Sequence, residues 1–418
     1  MNIREPRHFD KVRAQRQAKY RHKKLRKFGL GLFVALLVAS LLVYGAYLRP
    51  LPSVVAKTVA PTVSAEQVAL TWPAKGQAAI GVAGQGVMAS TANQVAAPTA
   101  STAKVMLVLA VLKKHPLQPG EAGPLVPITE ADVALYNKYL SMDGSVVKVQ
   151  VGEQLTEYQA LQAALIASGN NVADSLAIWA YGSMADYHKA ANQLAQELGM
   201  TSSKFASDAS GFLPETVSTA QDLTLLGQAA LANPVIKDIV SQKSALLPVA
   251  GTIYNTNFLL GQQGVIGIKS GNTDQAGGCF IFASQRTITG GQTVTAVGAV
   301  MGAASFGQAA ASSLPLLNSF YAGFSQQVVV PKGTVVARYK TAWGEQTNAV
   351  TVSDTVVLNW RGSKAEISLN DNNLKAPLPT NSPAGSLSAE TAYGQTTTQL
   401  ITSNALAVPS WQWRIIRH

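Results

Sequence analysis

Three short stretches carry side chains that could activate a hydroxyl group for nucleophilic attack. The first runs from Ser101 to Lys104, at the start of an apolar run that continues to Leu112. If this run is a helix, Ser101 and Lys104 lie one turn apart on the same face. Burial lowers the pKa of an amine, so a buried Lys104 could be neutral and accept the Ser101 proton. The alternative is a helix-start serine beside a lysine that reaches solvent.

The other two stretches supply a second hydroxyl, an amide and a second amine. Ser168-Gly-Asn170 lies between two predicted helices, and Lys269-Ser270-Gly271 ends a predicted strand. Each alone is equally typical of a polar turn. Together, in this order and in these contexts, the three stretches match the S-x-x-K, S-x-N and K-[ST]-G set of β-lactamases and penicillin-binding proteins.

Histidine and cysteine chemistry is not predicted. Three of the five histidines lie near the termini, and His115 and His188 are predicted to be solvated, so a Ser-His-Asp triad is not predicted. No His or Cys cluster has metal-ligand spacing, and we expect neither metal nor cofactor. The single cysteine, Cys279, cannot form an internal disulfide and is predicted to be a small buried apolar residue.

Beyond the three motifs, the chain resembles the low-molecular-weight penicillin-binding proteins, which are serine-type D-alanyl-D-alanine carboxypeptidases. The stretches that carry the resemblance are "PTASTAKVM", "VGEQLTEYQALQAALIASGNNVADSLA", "DASGFLPETVSTAQDL" and "KSGNTDQAGGC". The resemblance covers residues 66–325 and extends more loosely to "LKAPLPTNSPAGSLSA" near the C-terminus. It implies a peptidoglycan stem peptide ending in D-Ala-D-Ala as substrate, and β-lactam antibiotics as covalent inhibitors.

The resemblance also implies a catalytic role for four residues. Ser101 would attack the carbonyl between the two D-alanines and form an acyl-enzyme, with Lys104 as the base. Ser168 would relay a proton towards the leaving amine. Asn170 would hydrogen-bond Lys104 or the substrate amide.

The third motif would bind the substrate. The matching residues are Lys269, Ser270, Gly271, Asn272 and Thr273. Lys269 and Ser270 would hold the terminal carboxylate, and the backbone N–H groups of Ser101 and Asn272 would form an oxyanion hole. Ser270 stands where the family more often has threonine, but the hydroxyl group is retained.

Helices and strands that could position these motifs follow from periodicity. Apolar residues recur at helical spacing in residues 101–114, 156–168, 171–183, 184–199, 218–233 and 305–324. Runs typical of strands occupy residues 78–84, 86–90, 264–271, 277–287 and 293–302. We expect an α+β fold of the DD-peptidase/β-lactamase-like type, in which an antiparallel sheet packs with a helical cluster.

The charge of the chain is concentrated at its N-terminus. Of the net charge of +11, residues 1–27 carry +9, so nucleic-acid binding by the main domains is not expected. Residues 28–48 contain 21 residues without a charge, enough to span a bilayer as one transmembrane helix. The preceding basic residues predict a cytoplasmic N-terminus and an extracytoplasmic catalytic domain. A cleaved signal peptide, with weak candidate sites after Ala60 and Ala65, is the alternative.

The chain is therefore predicted to have five parts. They are a basic cytoplasmic tail (1–27), a transmembrane anchor (28–48), a linker (49–65), a DD-peptidase domain (66–325) and a small all-β domain (326–418). The final "WQWRIIRH" is interpreted as a last strand in preference to an interfacial aromatic contact.

Three other functions remain open on the same fold. A β-lactamase would need a deacylating glutamate in an E-x-x-L-N pattern, which is missing; the nearest acid, Glu215, has another context. A DD-endopeptidase would carry the same motifs. An inactive wall-binding scaffold would not need the intact set of side chains.

Overall fold

The computed structural model describes residues 8–58 and 68–417. Residues 1–7 of the predicted tail and 59–65 of the predicted linker, with both candidate cleavage positions, lie outside the described residues. The chain divides into two units. Unit 1 comprises Met1–Ser64, Gln327–Val357 and Lys364–His418, and unit 2 comprises Ala65–Gln326 and Leu358–Ser363.

Helices and strands follow one another along the described chain in three groups. The first group contains α1 (His8–Leu48), β1 (Val55–Thr58), β2 (Gln77–Val82), β3 (Val87–Ser90), β4 (Ala97–Pro98), the 3-10 helix η1 (Ala100–Ala103), α2 (Lys104–Lys114), β5 (Leu125–Pro127) and α3 (Glu130–Ser141). The second contains β6 (Gln154–Thr156), α4 (Glu157–Leu165), α5 (Asn170–Tyr181), α6 (Met184–Glu197), β7 (Val217–Ser218), α7 (Ala220–Ala232), α8 (Pro234–Ser241), β8 (Ser244–Leu247) and β9 (Gly251–Tyr254). The third contains η2 (Gln262–Gly264), β10 (Val265–Thr273), β11 (Gly277–Thr287), β12 (Thr293–Ala303), α9 (Phe306–Ala322), β13 (Phe324–Val330), β14 (Val335–Lys340), β15 (Gln346–Thr351), β16 (Thr355–Trp360), β17 (Glu366–Asp371), β18 (Pro383–Thr391), β19 (Gly394–Thr402) and α10 (Trp411–Ile416).

Unit 2 is built on a five-stranded antiparallel sheet with helices on both faces. The strand order is β10-β11-β12-β2-β3. Side chains on β11 alternate between the faces: Ile281 contributes to the core under α7, whereas Phe280 and Phe282 lie on the opposite face, where Phe280 contacts Phe306 of α9. The sheet therefore separates α9 from the cluster of α2 and α4–α8.

Helix α2 lies at the centre of that cluster. Seven of the eight residues from Val105 to Leu112 are buried, which agrees with the apolar pattern on all sides of the predicted helix. Contacts with α4, α5, α6 and α7 surround it. This burial carries the start of the helix, with Lys104, into the interior of the unit.

Two helices, α3 and α8, are missing from the sequence-based prediction, although each begins with a recognisable cap. Thr129 and Asp132 form a capping box at the start of α3. The side chain of Asn233 accepts hydrogen bonds from two N–H groups at the start of α8, where Pro234 is the first helical residue. Helix α3 was not predicted because its apolar pattern is weak, and α8 was not predicted because it is short.

Helix α1 continues through both the basic segment and the apolar segment. One apolar stretch within Val12–Leu48 is long enough to cross a membrane, with a mean hydropathy of 2.3. The lysines and arginines lie in the N-terminal half of the helix, ahead of the uncharged residues 28–48. Helix α1 thus contains the described part of the predicted basic tail and the whole of the predicted transmembrane anchor.

The remainder of unit 1 is a six-stranded antiparallel sheet in the order β1-β14-β15-β19-β18-β17. Its edge strand β1 comes from the segment predicted as a linker: Val55 pairs with Lys340 and Thr58 with Ala337. Residues 55–58 therefore pair through their backbone with a strand almost three hundred residues away.

The prediction of a last strand at the C-terminus was wrong, because Trp411–Ile416 forms helix α10. Ser410 caps it by accepting a hydrogen bond from the N–H of Trp413. Arg414 donates to the Tyr47 carbonyl at the end of α1, and the Trp413 ring packs on Trp343. These contacts favour a capped turn of helix over an extended strand.

Candidate active site

Ser101 and Lys104 lie at the junction of η1 and α2, and the first turn of α2 brings them together. Nζ of Lys104 lies 2.8 Å from Oγ of Ser101, 2.7 Å from Oδ1 of Asn170 and 3.2 Å from the carbonyl oxygen of Ser210. Lys104 is fully buried, whereas Ser101 is partly exposed. The partly exposed Ser101 is thus in contact with the amine of a fully buried lysine.

The surroundings of Lys104 suit a neutral amine. Burial lowers its pKa from 10.5 to about 7, against the opposing effect of the Asp208 and Asp174 charges. A neutral amine has two N–H donors and one lone pair. Asn170 and Ser210 offer acceptor oxygens to the donors, which leaves the lone pair for the Ser101 hydroxyl. Near pH 7 both protonation states are populated.

The Ser168–Asn170 stretch lies in the loop between α4 and α5, as predicted. Ser168 is buried and has a φ of +61°, a conformation that is strained for a residue with a Cβ atom. Asn170 begins α5 and its N–H donates to the carbonyl of Ser145. The structure therefore brings Asn170 into direct contact with Lys104, with Ser168 two residues before it; no hydrogen bond is shown between the Ser168 side chain and the described residues.

The Lys269–Thr273 stretch forms the second half of β10, at the edge of the sheet. A Cβ atom on Gly271 would lie 2.8 Å from the backbone nitrogen of Ser101, so only glycine lets β10 pass this close to η1. The Ser270 hydroxyl lies 2.7 Å from that of Thr256, whose N–H donates to the Ile166 carbonyl. The first stretch therefore contacts both of the others, through Asn170 and through Gly271.

Lys269 is buried next to the first lysine. Its Nζ donates to the Ser270 carbonyl at 2.9 Å, and burial, followed by the charge on Lys104, lowers its pKa well below the usual value. Asn272 is exposed, and its Oδ1 accepts from the N–H of Phe306. Thr273 accepts from the N–H of Ala276 and so closes the turn into β11.

Four residues behind Lys104 were not identified from the sequence: Tyr139, Asp174, Asp208 and Ser210. Asp174 is buried, as is Asp208, and the Tyr139 hydroxyl donates to Oδ2 of Asp174 at 2.6 Å. Asp174 follows Asn170 by four residues and so shares its helix face, a signal that the sequence contained. Asp208 and Ser210 come from a loop whose approach to α2 has no local signature.

The prediction that both central histidines are solvated was wrong. His115 stacks on Trp179 with ring centroids 4.7 Å apart, and His188 is half-buried, which lowers its pKa. Neither Nε2 has a hydrogen-bond partner within the described part of the chain. Cys279 is fully buried, as predicted, and burial raises the pKa of its thiol to about 11.

Metal coordination finds no support in the described ranges, 8–58 and 68–417, where no three His, Cys, Asp or Glu side chains are grouped to hold an ion.

A serine–lysine pair at the start of a buried helix, facing an edge strand that carries a second lysine, defines the DD-peptidase and β-lactamase-like fold class. The crystal structure of the D-alanyl-D-alanine carboxypeptidase DacD from Francisella tularensis is similar in fold. It aligns with a TM-score of 0.55 and 18% identity over 84% of this chain and 96% of that chain. The predicted fold class is confirmed.

The family model described as D-alanyl-D-alanine carboxypeptidase matches residues 62–305, more than half of the chain. The chain belongs to this family, as the resemblance indicated.

Curated relatives carry two kinds of name. The chain is 34% identical over 206 residues to D-alanyl-D-alanine carboxypeptidase DacB2 of Mycobacterium tuberculosis (strain ATCC 25618 / H37Rv), covering 48% of this chain and 66% of the relative. It is 28% identical over 254 residues to the D-alanyl-D-alanine endopeptidase of Escherichia coli (strain K12), covering 59% and 76%. The chain thus spans just under two thirds of the length of the mycobacterial relative.

Proposed function

We propose that the chain is a serine-type D-Ala-D-Ala carboxypeptidase that trims the terminal D-alanine from peptidoglycan stem peptides. The observation that carries this proposal is the 2.8 Å contact between Oγ of Ser101 and Nζ of the fully buried Lys104. Family membership supports the substrate class.

Acylation begins when neutral Lys104 accepts the Ser101 proton. Oγ then attacks the carbonyl carbon between the two D-alanines and forms a tetrahedral oxyanion. Collapse of this intermediate breaks the C–N bond. The amine of the leaving D-alanine takes up the proton that Lys104 accepted from Ser101, and Ser168 relays this proton. Water then attacks the ester at Ser101, and the released stem peptide is one residue shorter.

Substrate binding falls to β10. The terminal carboxylate lies against Lys269 and the Ser270 hydroxyl, and its negative charge restores the proton that burial disfavours on Lys269. The backbone N–H groups of Ser101 and Asn272 stabilise the oxyanion, a contribution of about 10²–10³ in rate per donor. The close passage of Gly271 along Ser101 supports this assignment, because it brings the two backbones side by side.

Membrane attachment follows from α1. We propose that the apolar part of the helix crosses the membrane once, with the basic N-terminal part in the cytoplasm and the catalytic domain on the outer side. The enzyme then works beside the peptidoglycan layer that contains its substrate.

Covalent labelling tests the acyl-enzyme. Full-length protein in detergent should be labelled by a fluorescent penicillin, and Ser101→Ala should take no label. Ser241→Ala is the matched control, because it removes an exposed hydroxyl at the end of α8. Equal labelling of Ser101→Ala would contradict the proposal, and rapid turnover of the penicillin would favour a β-lactamase.

Product release distinguishes the carboxypeptidase from the endopeptidase suggested by the name of the Escherichia coli relative. A pentapeptide ending in D-Ala-D-Ala should release free D-alanine, whereas a cross-linked peptide dimer should stay intact. Cleavage of the dimer alone would replace the proposed activity by the endopeptidase.

A further inference from the structure

Asp208 organises the loop that contacts Lys104. Its carboxylate accepts hydrogen bonds from the N–H groups of Ser210 (3.2 Å), Phe212 (3.0 Å) and Leu213 (3.2 Å) and from the Ser210 hydroxyl. A single buried side chain thus binds four donors of residues 210–213. These bonds close the chain around the carboxylate.

Asp174 holds the same loop from helix α5. Its Oδ1 accepts from the N–H of Ala209 at 2.9 Å, and its Oδ2 accepts from the Tyr139 hydroxyl at 2.6 Å. The Tyr139 hydroxyl also lies 3.5 Å from Asp208. Asp174 and Asp208 therefore both accept hydrogen bonds from the same loop, and the Tyr139 hydroxyl lies within hydrogen-bond distance of both carboxylates.

The loop delivers an acceptor to the catalytic lysine. The Ser210 carbonyl accepts from Nζ of Lys104, and Gly211 packs so tightly on η1 that a Cβ atom would lie 2.2 Å from the Ala100 carbonyl oxygen. Residues 209–213 are therefore hydrogen-bonded to the two carboxylates and also packed against η1, the element that bears Ser101.

We infer that Asp174 and Asp208 are positioning residues that act through Lys104, because they hold the loop whose Ser210 carbonyl accepts a hydrogen bond from its Nζ. The expected effect of the two carboxylates on the reaction rate rests on the proposed function. Their expected effect on the titration of Lys104 does not depend on that function.

The charges around the site give the direction of the effect. Both carboxylates raise the pKa of Lys104 and so offset part of the lowering by burial. Burial raises the pKa of Asp174 to about 6, so it is largely ionised at pH 7. The other titratable groups that face Asp174 or Asp208 are Lys138, Tyr139, Tyr187 and His188, and Lys269 faces Lys104 itself. Neutralising either carboxylate removes a negative charge and should let Lys104 deprotonate at lower pH.

The experiment compares Asp208→Asn and Asp174→Asn with Asp222→Asn in full-length protein. Asp222 is a matched control because it is also buried and accepts from Ser202 and Ser203, whereas the carboxylates that raise the pKa of Lys104 are Asp208 and Asp174. The rate of labelling by fluorescent penicillin is measured from pH 5 to pH 9. We expect the acid limb to move down by about 1 pH unit in the first two variants and to stay in place in the control.

A second readout separates this inference from the proposed function. Lysine labelled with ¹³C at Cε reports the titration of Lys104 by NMR, with the resonance assigned through Lys104→Arg. The midpoint should fall in Asp208→Asn and Asp174→Asn, even if the wild-type protein takes no penicillin and the proposed function fails.

Unchanged midpoints in both variants, or an equal change in Asp222→Asn, would overturn the inference. If Asp208→Asn does not fold, Asp174→Asn alone tests the inference. Asp174 binds the loop through a single N–H group, that of Ala209, so its replacement disturbs the loop less.

Discussion

At the scale of single residues, the chemistry depends on burying one amine without leaving it unpaired. An isolated ammonium group in a protein interior costs several kcal/mol, so a buried lysine tends to lose its proton. Lys104 has three oxygen neighbours, and the neutral form satisfies all of them. The same burial that threatens stability therefore produces a base that works near neutral pH.

Lys104→Arg tests whether neutrality matters. A guanidinium group stays protonated at all relevant pH values, so it cannot accept the Ser101 proton. We expect penicillin labelling to slow by about 10²- to 10⁴-fold, the usual contribution of a general base. Lys148→Arg, on an exposed lysine, is the control and should leave the rate unchanged. A wild-type rate in Lys104→Arg would show that Lys104 is not the base.

At the scale of elements, the first and third motifs come together because the edge strand β10 runs against the short 3-10 helix η1. No side chain separates β10 from η1 at Gly271, where an added Cβ atom would meet two backbone nitrogens and the Ala100 Cβ atom within 3.2 Å. The close approach of the third motif to Ser101 therefore depends on the absence of a side chain at Gly271.

Gly271→Ala should push β10 away from Ser101. Because a misplacement of about 1 Å can cost about 10²-fold in rate, we expect labelling to fall by one to two orders of magnitude. Gly307→Ala is the control, since its Cβ atom would meet only the Ser305 hydroxyl, at 3.7 Å. The result can be checked by comparing acylation rates with thermal unfolding temperatures. Normal acylation in Gly271→Ala would mean that the close passage is not needed.

Helix α4 contains a stability determinant unrelated to the site. Glu157 is fully buried at its start, both carboxylate oxygens lack partners among the described residues, and burial raises its pKa to about 7. Since the unfolded value is near 4.5, the neutral carboxyl supports the fold at low pH. This support declines as the pH rises from about 4.5 to 7 and is absent above that range.

Glu157→Gln should therefore stabilise the protein at pH 8 by about 1–3 kcal/mol, with little gain at pH 4.5. Urea unfolding at the two pH values measures the difference. Glu130→Gln replaces an exposed glutamate at the first position of α3 and controls for the loss of a helix-start charge. A gain that is independent of pH would contradict the buried-carboxyl explanation.

At the scale of the whole molecule, charge and hydropathy are segregated along the chain. Residues 1–27 carry most of the positive charge, and the uncharged residues 28–48 follow on the same helix. A protein organised in this way should partition into membranes through α1 alone.

Membrane fractionation checks this expectation. The full chain should remain in the membrane pellet after alkaline carbonate extraction, and a chain lacking residues 1–48 should be released. If the basic residues retain the N-terminus in the cytoplasm, as proposed, protease added to intact spheroplasts should digest the catalytic domain. Protection of the catalytic domain would reverse the proposed topology.

The sequence by itself determined the features that depend on neighbours within a few residues. The apolar pattern of α2 and the β-branched and aromatic run of β11 depend on local sequence, and they predicted these two elements correctly. The uncharged run at 28–48 predicted a helix long enough to cross a membrane, and α1 contains one. The three motifs were found for the same reason, since each is a stretch of three or four residues.

Only the tertiary structure decided what surrounds the amine. The partners of Lys104 are separated from it by 66 residues at Asn170 and 106 at Ser210, and the carboxylates behind them come from a helix and a loop. Pairing of β1 with β14 and the capped turn of α10 on the end of α1 likewise depend on distant chain segments. Burial and charge at a point are sums over all neighbours in space, and local sequence patterns report only those that are close along the chain.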